Sequence, residues 1–198
     1  PRIAQISPAF GVKLAELDGD GHPDLYLVQN FYTPQIETGR MDGGISQAFL
    51  GKGDGSFAAL EPRRSGLLVP GDAMSLVVTD LDGDRRPDFV VGVNNDRAMA
   101  FQQQGGRPDE IVQVRLQDAP GNATAVGAKV CVVLANGHRQ TAEVYAGDGY
   151  LGQSSPLLSF GIPPEESIRE ITVRWPDGSS STSKPDPSQN LIEIRKGG

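Results

Sequence analysis

Four carboxylates stand at positions 1, 3, 5 and 9 of the stretch Asp80-Leu-Asp-Gly-Asp-Arg-Arg-Pro-Asp88. The arrangement occurs 64 residues earlier as Glu16-Leu-Asp-Gly-Asp-Gly-His-Pro-Asp24, so the chain carries an internal repeat. Carboxylates crowded in this way repel one another and destabilise a fold unless a cation is shared between them. Calcium takes six to eight oxygens and accepts carboxylates alternating with backbone carbonyls on a tightly curved loop. The spacing predicts one ion held by the side chains of Asp80, Asp82, Asp84 and Asp88 with the carbonyl of Arg86. A second ion would be held by Glu16, Asp18, Asp20 and Asp24 with the carbonyl of His22. Magnesium, which demands a strict octahedron and keeps its waters, fits this donor set less well.

Both stretches open like an EF-hand, but that site closes with a bidentate Glu at position 12. Leu27 and Val91 stand there instead. Pro23 and Pro87 are followed by Leu25-Tyr-Leu-Val28 and Phe89-Val-Val-Gly-Val93, which are runs of strand character. Each loop is therefore expected to feed a strand, not a helix. The alternative is a pair of solvated Asp/Gly turns that hold no ion.

The 198-residue chain has room for one large or two small domains. Its 25 Gly and 15 Pro, with no helical periodicity sustained over three turns, point to an all-β protein of short strands and many turns. Of the net charge of −7, the two loops account for all but one unit, so no nucleic-acid-binding face is expected. Cys131 is the only cysteine, which excludes an intrachain disulfide. It lies in the apolar run Val130-Cys-Val-Val-Leu134 and reads as a small core residue. No apolar stretch approaches a membrane span, and no signal peptide is evident. The start at Pro1 without Met suggests a trimmed fragment of a longer parent.

Residues 1–107 are expected to form the repeat region, with strands over 25–30, 45–50, 74–79, 89–94 and 98–103. Thr33–Gly44 reads as a surface loop. Two loops supply about two blades' worth of strands, too few to close a propeller of four to eight blades. The unpaired strand edges should then be covered by the second domain or by another copy. The polar, Gly-rich Gln104-Gly-Gly-Arg-Pro108 marks a boundary. Residues 108–198 are expected to form a small antiparallel β-sandwich, with strands over 111–116, 126–135, 139–146, 168–175 and 190–195. Ile171, Val173 and Trp175 share one face of their strand. Ser179–Pro187 reads as a flexible connection, and Gly147-Asp-Gly-Tyr150 as a turn supplying positive φ.

Asp-x-Asp-Gly-Asp-Gly-x-Pro-Asp-Leu resembles the calcium loop of FG-GAP (VCBS-type) repeats, the blades of integrin-like β-propellers. Gly51-Lys-Gly-Asp-Gly-Ser-Phe57 resembles the turn between the loops of consecutive blades. Arg85 departs from that pattern, which has Gly at loop position 6; a left-handed Arg there costs about 1 kcal/mol. Ala125-Val-Gly-Ala-Lys-Val130, Val144-Tyr-Ala-Gly-Asp-Gly-Tyr-Leu-Gly-Gln-Ser-Ser155, Phe160-Gly161 and Val173-Arg-Trp-Pro-Asp-Gly178 resemble in order an ASPIC/UnbV domain. That domain follows FG-GAP repeats in the cartilage acidic protein family and in exported bacterial proteins. The resemblance implies a calcium-binding protein that is secreted, periplasmic or at the cell surface and binds an extracellular protein or surface ligand.

Catalysis has little to work with. His22 and His138 are the only histidines, and the chain has no nucleophile elbow, phosphate loop or Cys/His cluster. Carboxylates packed in one loop do not face each other across a cleft as glycosidase pairs do. A non-catalytic adhesion module is therefore expected. The alternatives are a polysaccharide-binding accessory module using Tyr32, Tyr145 or Tyr150, or a non-catalytic part of a larger secreted enzyme.

Overall fold

A computed structural model describes residues 7–41, 43–105 and 110–197. The repeat region builds two small antiparallel sheets. The first blade contains β1 (Ala9–Ala15), β2 (Asp24–Gln29), β3 (Gln47–Gly51) and β4 (Phe57–Leu60), paired in that order. The one-turn helix α1 (Pro62–Ser65) leads on to the second blade, β5 (Ala73–Thr79), β6 (Asp88–Val93) and β7 (Met99–Phe101). The acidic loops are the β1–β2 and β5–β6 connections, so each delivers its ninth residue directly into a strand. The expected blade strands are present within two residues of their bounds, and β1 and β4 are additional.

The blades stack face to face. Period-two alternation turns Tyr26, Val28 and Ala48 towards Leu76, Phe89 and Val91, forming one buried cluster. Tyr26 meets Phe89 edge-on at 4.9 Å between ring centroids. Gly11 permits the close approach, since a Cβ there would lie 2.7 Å from Cβ of Leu76 and 2.8 Å from Cγ2 of Val28.

The remaining strands are β8 (Ile111–Gln117), β9 (Lys129–Leu134), β10 (Arg139–Glu143), β11 (Leu158–Gly161), β12 (Ile168–Arg174), β13 (Ser180–Ser183) and β14 (Leu191–Arg195). They form a sheet ordered β10-β9-β12-β13 and a sheet ordered β11-β8-β14. Val130, Val132, Ile171, Val173 and Trp175 pack between these sheets against Val112, Val114, Phe160, Ile192 and Ile194. One pairing departs from the expected antiparallel pattern: β14 joins β8 in parallel, because residues 184–190 carry the chain across from one sheet to the other.

Two local expectations change. Ser180–Ser183 is not a flexible connection but an edge strand on β12, and Ser181 Oγ accepts a 3.0 Å bond from the Trp175 indole N–H. An edge strand with one wet face tolerates Ser and Thr, which hid it from a hydrophobic reading. Cys131 is half-buried rather than in the core. Alternation gives the core face to Val130 and Val132, and Cys131 pairs across to Thr141 and Thr172. The boundary expected at 104–108 falls largely on residues 106–109, outside the described residues.

The two units meet along the blades' inner strands. Lys13 on β1, buried, pairs with Asp148 Oδ2 at 2.5 Å, and Phe10 packs on Tyr150 at 5.4 Å between centroids. Val78 of β5 donates its N–H to Ser154 Oγ at 3.0 Å and accepts from Ser155 N–H at 3.1 Å. The exposed edge of β5 is thus covered by the 147–155 segment of the sandwich, one of the two outcomes expected for it. Gly147 and Gly149 of that segment have φ +78 and +130, as its reading as a turn requires.

Replacing Gly11 with Val should force the blades apart and cost roughly 1–3 kcal/mol, as overpacking a tight contact does. Urea denaturation of the full chain would show it as a lowered midpoint. An unchanged midpoint would contradict the described stacking.

Candidate metal centre

The two acidic loops repeat one another bond for bond. At position 1, Glu16 accepts from the N–H groups of Gly19 (2.9 Å) and Gly21 (3.2 Å); Asp80 accepts from Gly83 (2.8 Å) and Arg85 (2.9 Å). At position 9, Asp24 accepts from Leu17 and Gly51 (2.7 and 2.8 Å); Asp88 accepts from Leu81 and Gln103 (2.7 and 2.8 Å). At position 3, Asp18 and Asp82 each accept at 3.3 Å from the N–H two residues on. These bonds curl the backbone so that carboxylates 1, 3 and 9 converge.

Glu16, Asp18 and Asp24 form one group, and Asp80, Asp82 and Asp88 the other; within each, one oxygen per residue lies within 4.8 Å of the others. Calcium binds oxygen at 2.3–2.6 Å, so oxygens around one ion are separated by at most about 5 Å. The spacing fits a single ion in each loop. Glu16 is 6% exposed, and Asp24 and Asp88 are each 1% exposed. Burial pushes the Glu16 carboxyl up to about 8, with the Asp24 charge adding to it, and burial pushes Asp24 up to about 6. Asp18 is raised too, by desolvation and by Asp20 beside it. The first loop therefore resists holding its charges without a counter-ion.

Position 5 behaves differently. Asp20 and Asp84 stand outside the convergent triplets. Their Oδ1 atoms accept from the N–H groups of His22 (2.8 Å) and Arg86 (2.9 Å), closing the turn at position 7. The Arg86 guanidinium also grips Asp84 through Nε at 2.7 Å and through Nη2. Burial raises the Asp84 carboxyl, but the bonds from Arg86 outweigh it and hold the group below the ordinary carboxylate value. His22 has no such grip on Asp20; its ring packs edge-on against His138 at 5.3 Å and lies over Gly53.

Position 6 shows why one copy keeps glycine. Gly21 has φ +81 and is roofed by the sandwich: a Cβ would lie 3.2 Å from both Gln140 Nε2 and the Gly161 carbonyl oxygen. Arg85 occupies the equivalent place with φ +76, so it bears the cost of a side chain in the left-handed region. The sequence did not expose the part the second domain plays. Gln113 on β8, buried, donates from Nε2 to Asp80 Oδ2 at 3.2 Å, and Gly161 on β11 lies against the Glu16 carboxylate. Neither residue belongs to a metal-binding motif, so only the fold reveals them.

Among known families, residues 16–91 match the FG-GAP-like repeat and residues 118–198 match ASPIC and UnbV. The chain is 31% identical to cartilage acidic protein 1 of Mus musculus over 98% of its own length, and 26% identical to that of Homo sapiens over 90%. It spans 30% and 26% of the length of those relatives. Among solved structures, gamma-CGTase of Alkalophilic bacillus clarkii matches at 11% identity with a TM-score of 0.17, covering 98% of this chain and 28% of that one; a score so low carries no argument. The chain is thus an all-β protein of FG-GAP-like repeats followed by an ASPIC/UnbV domain, the combination found in its cartilage acidic protein 1 homologues.

Proposed function

We propose that this chain is a non-catalytic extracellular calcium-binding interaction module and part of a larger propeller protein. The observation that carries the reading is the duplicated cage: two loops, alike hydrogen bond by hydrogen bond, each bring three carboxylates within reach of one ion. Glu16, Asp18 and Asp24 would hold one calcium, and Asp80, Asp82 and Asp88 the other. Asp20 and Asp84 contribute by closing the turn at His22 and Arg86. The ions would neutralise the acidic loops and stiffen both blades.

The repeat supports the longer propeller. Val12 and Leu14 of the first blade are 49% and 62% exposed. They stand 64 residues before Leu76, 1% exposed, and Val78, which are covered where the second blade meets the first. A preceding blade of the same kind would cover Val12 and Leu14 in the same way. As to the partner, a protein surface fits better than a polysaccharide. Tyr32 is capped by the Arg40 guanidinium at 4.4 Å from its ring centroid and Tyr150, 49% exposed, leans on Phe10, so that of the three tyrosines Tyr145, 53% exposed, offers the most open face for sugar stacking.

A cation that binds only the folded chain stabilises it by about 2.7 kcal/mol at a hundredfold excess over Kd. Millimolar calcium should therefore raise the melting temperature, and magnesium should do much less. Calorimetric titration of chelator-treated protein should find two calcium ions, and Asp82→Ala should leave one. No heat and no thermal shift up to about ten millimolar calcium would reduce the loops to ordinary turns.

The pH dependence of the metal-free chain has a definite sign. Glu16 rises from 4.5 to about 8 on folding, so between those values the folded state holds more protons than the unfolded one. Stability of the chelated protein should fall as pH rises through that window. With calcium bound the carboxylates stay charged, and the fall should disappear. A chelated melting temperature flat from pH 5 to 8 would show that the Glu16 proton does not contribute.

A further inference from the structure

The carboxylate at position 1 of each loop is touched by the C-terminal sandwich. Gln113, 5% exposed on β8, donates to Asp80 Oδ2 at 3.2 Å and reaches the Arg85 carbonyl at 3.5 Å. Gly161, at the end of β11, faces Glu16 so closely that a Cβ there would lie 2.5 Å from Glu16 Cδ and 2.9 Å from its Cγ. Around the same loop, Gly19 has no room for a Cβ beside Glu110, and Gly21 has little beside Gln140 and Pro163. The two acidic loops are therefore part of the surface on which the sandwich docks, beside the β1 and β5 contacts.

We propose that metal occupancy of the two loops and docking of the sandwich onto the blades are one coupled equilibrium, transmitted through Glu16–Gly161 and Asp80–Gln113. The inference rests on the calcium reading of the loops. Its sign follows from desolvation. Docking removes water from clustered carboxylates, a cost that grows steeply when no cation is shared among them. An ion in each loop cancels that cost, so calcium favours the docked form. By linkage, docking must strengthen calcium binding by the same factor. Gln113 acts as a positioning residue, fixing Asp80 from outside the loop as partners beyond the ligand shell orient metal ligands elsewhere.

Two variants that remove no ligand test the coupling in the full chain. Gln113→Leu removes one donor to Asp80 Oδ2 and keeps the one from the Arg85 N–H, and Gly161→Ala presses on Glu16 from the other domain. Gly161 is not in the left-handed region, so Ala there adds no backbone strain. Each variant should weaken calcium at its own loop by about tenfold in calorimetric titration, within the usual range of coupling between sites. Shortening the ligand in Gly161→Ala/Glu16→Asp should restore the first site, which separates the contact from a general folding defect. Amide exchange gives a second readout far from any ligand. The Ser155 N–H, bonded to the Val78 carbonyl at 3.1 Å across the interface, should exchange about tenfold faster in chelator than in calcium. Wild-type affinity in both single variants, with Ser155 exchange indifferent to calcium, would overturn the coupling while leaving the calcium sites standing. A wild-type chain that binds no calcium would overturn both.

Discussion

Like charges brought together under protein cover are the constraint on which this structure depends. Glu16, Asp24 and Asp88 are almost fully removed from water, each within reach of further carboxylates. Every one of them accepts two backbone N–H bonds. In the first loop those bonds are not enough, since the carboxyls of Glu16 and Asp24 remain well above their ordinary values. The backbone dipoles orient the carboxylates without neutralising them. A loop satisfied by its own amides would need no ion; one that is oriented yet still short of positive charge is suited to a cation of high coordination number.

Directional contacts also bear on how the halves meet. The sandwich has its own core, separate from that between the blades, so burial of apolar surface does not by itself dictate the docking geometry. Directional contacts do. Lys13 pairs with Asp148 in a largely buried position, where breaking the pair leaves an uncompensated charge. Burial raises the Asp148 carboxyl, but Lys13 and Ser154 more than offset it and keep the group below its ordinary value. The Val78–Ser155 and Val78–Ser154 bonds then align the 147–155 segment along β5. Gly152 suits this task, since a Cβ there would lie 3.2 Å from the Leu76 carbonyl oxygen and 3.3 Å from Val77 Cγ1.

Sequence reading recovered the features that local chemistry dictates. Carboxylate spacing and the strand-like runs that follow located both loops and their strands. Alternation placed Ile171, Val173 and Trp175 on one buried face. What escaped was set by partners distant in the chain. β1 contains Lys13, Gly11 and Phe10, and its pattern makes sense only beside β5 and Tyr150. β13 is polar because it is an edge, and Cys131 faces outward because its neighbours already fill the core side. Three acids of each loop lie together, while Asp20 and Asp84 bond the N–H that closes the turn at position 7; Asp18 and Asp82 make the same kind of bond and still join the triplets.

The Glu at position 1 of the first loop has a physical reading that the repeat alone could not supply. In the second loop Asp80 is steadied from outside by the Gln113 amide, so a short side chain already has a donor on its outer flank. In the first loop the sandwich presents Gly161, which offers no side chain, and the space left by the missing Cβ is filled by the Glu16 carboxylate. The extra methylene of Glu16 and the absent side chain at 161 are complementary, as are the shorter Asp80 and the longer Gln113. Among the four carboxylate positions, the two loops thus differ only at the one touched by the other domain, and in each copy the residue opposite complements the side chain's length. Positions 6 and 7 differ as well, Gly21 and His22 standing against Arg85 and Arg86, but at position 1 side-chain length is matched across the interface in both copies.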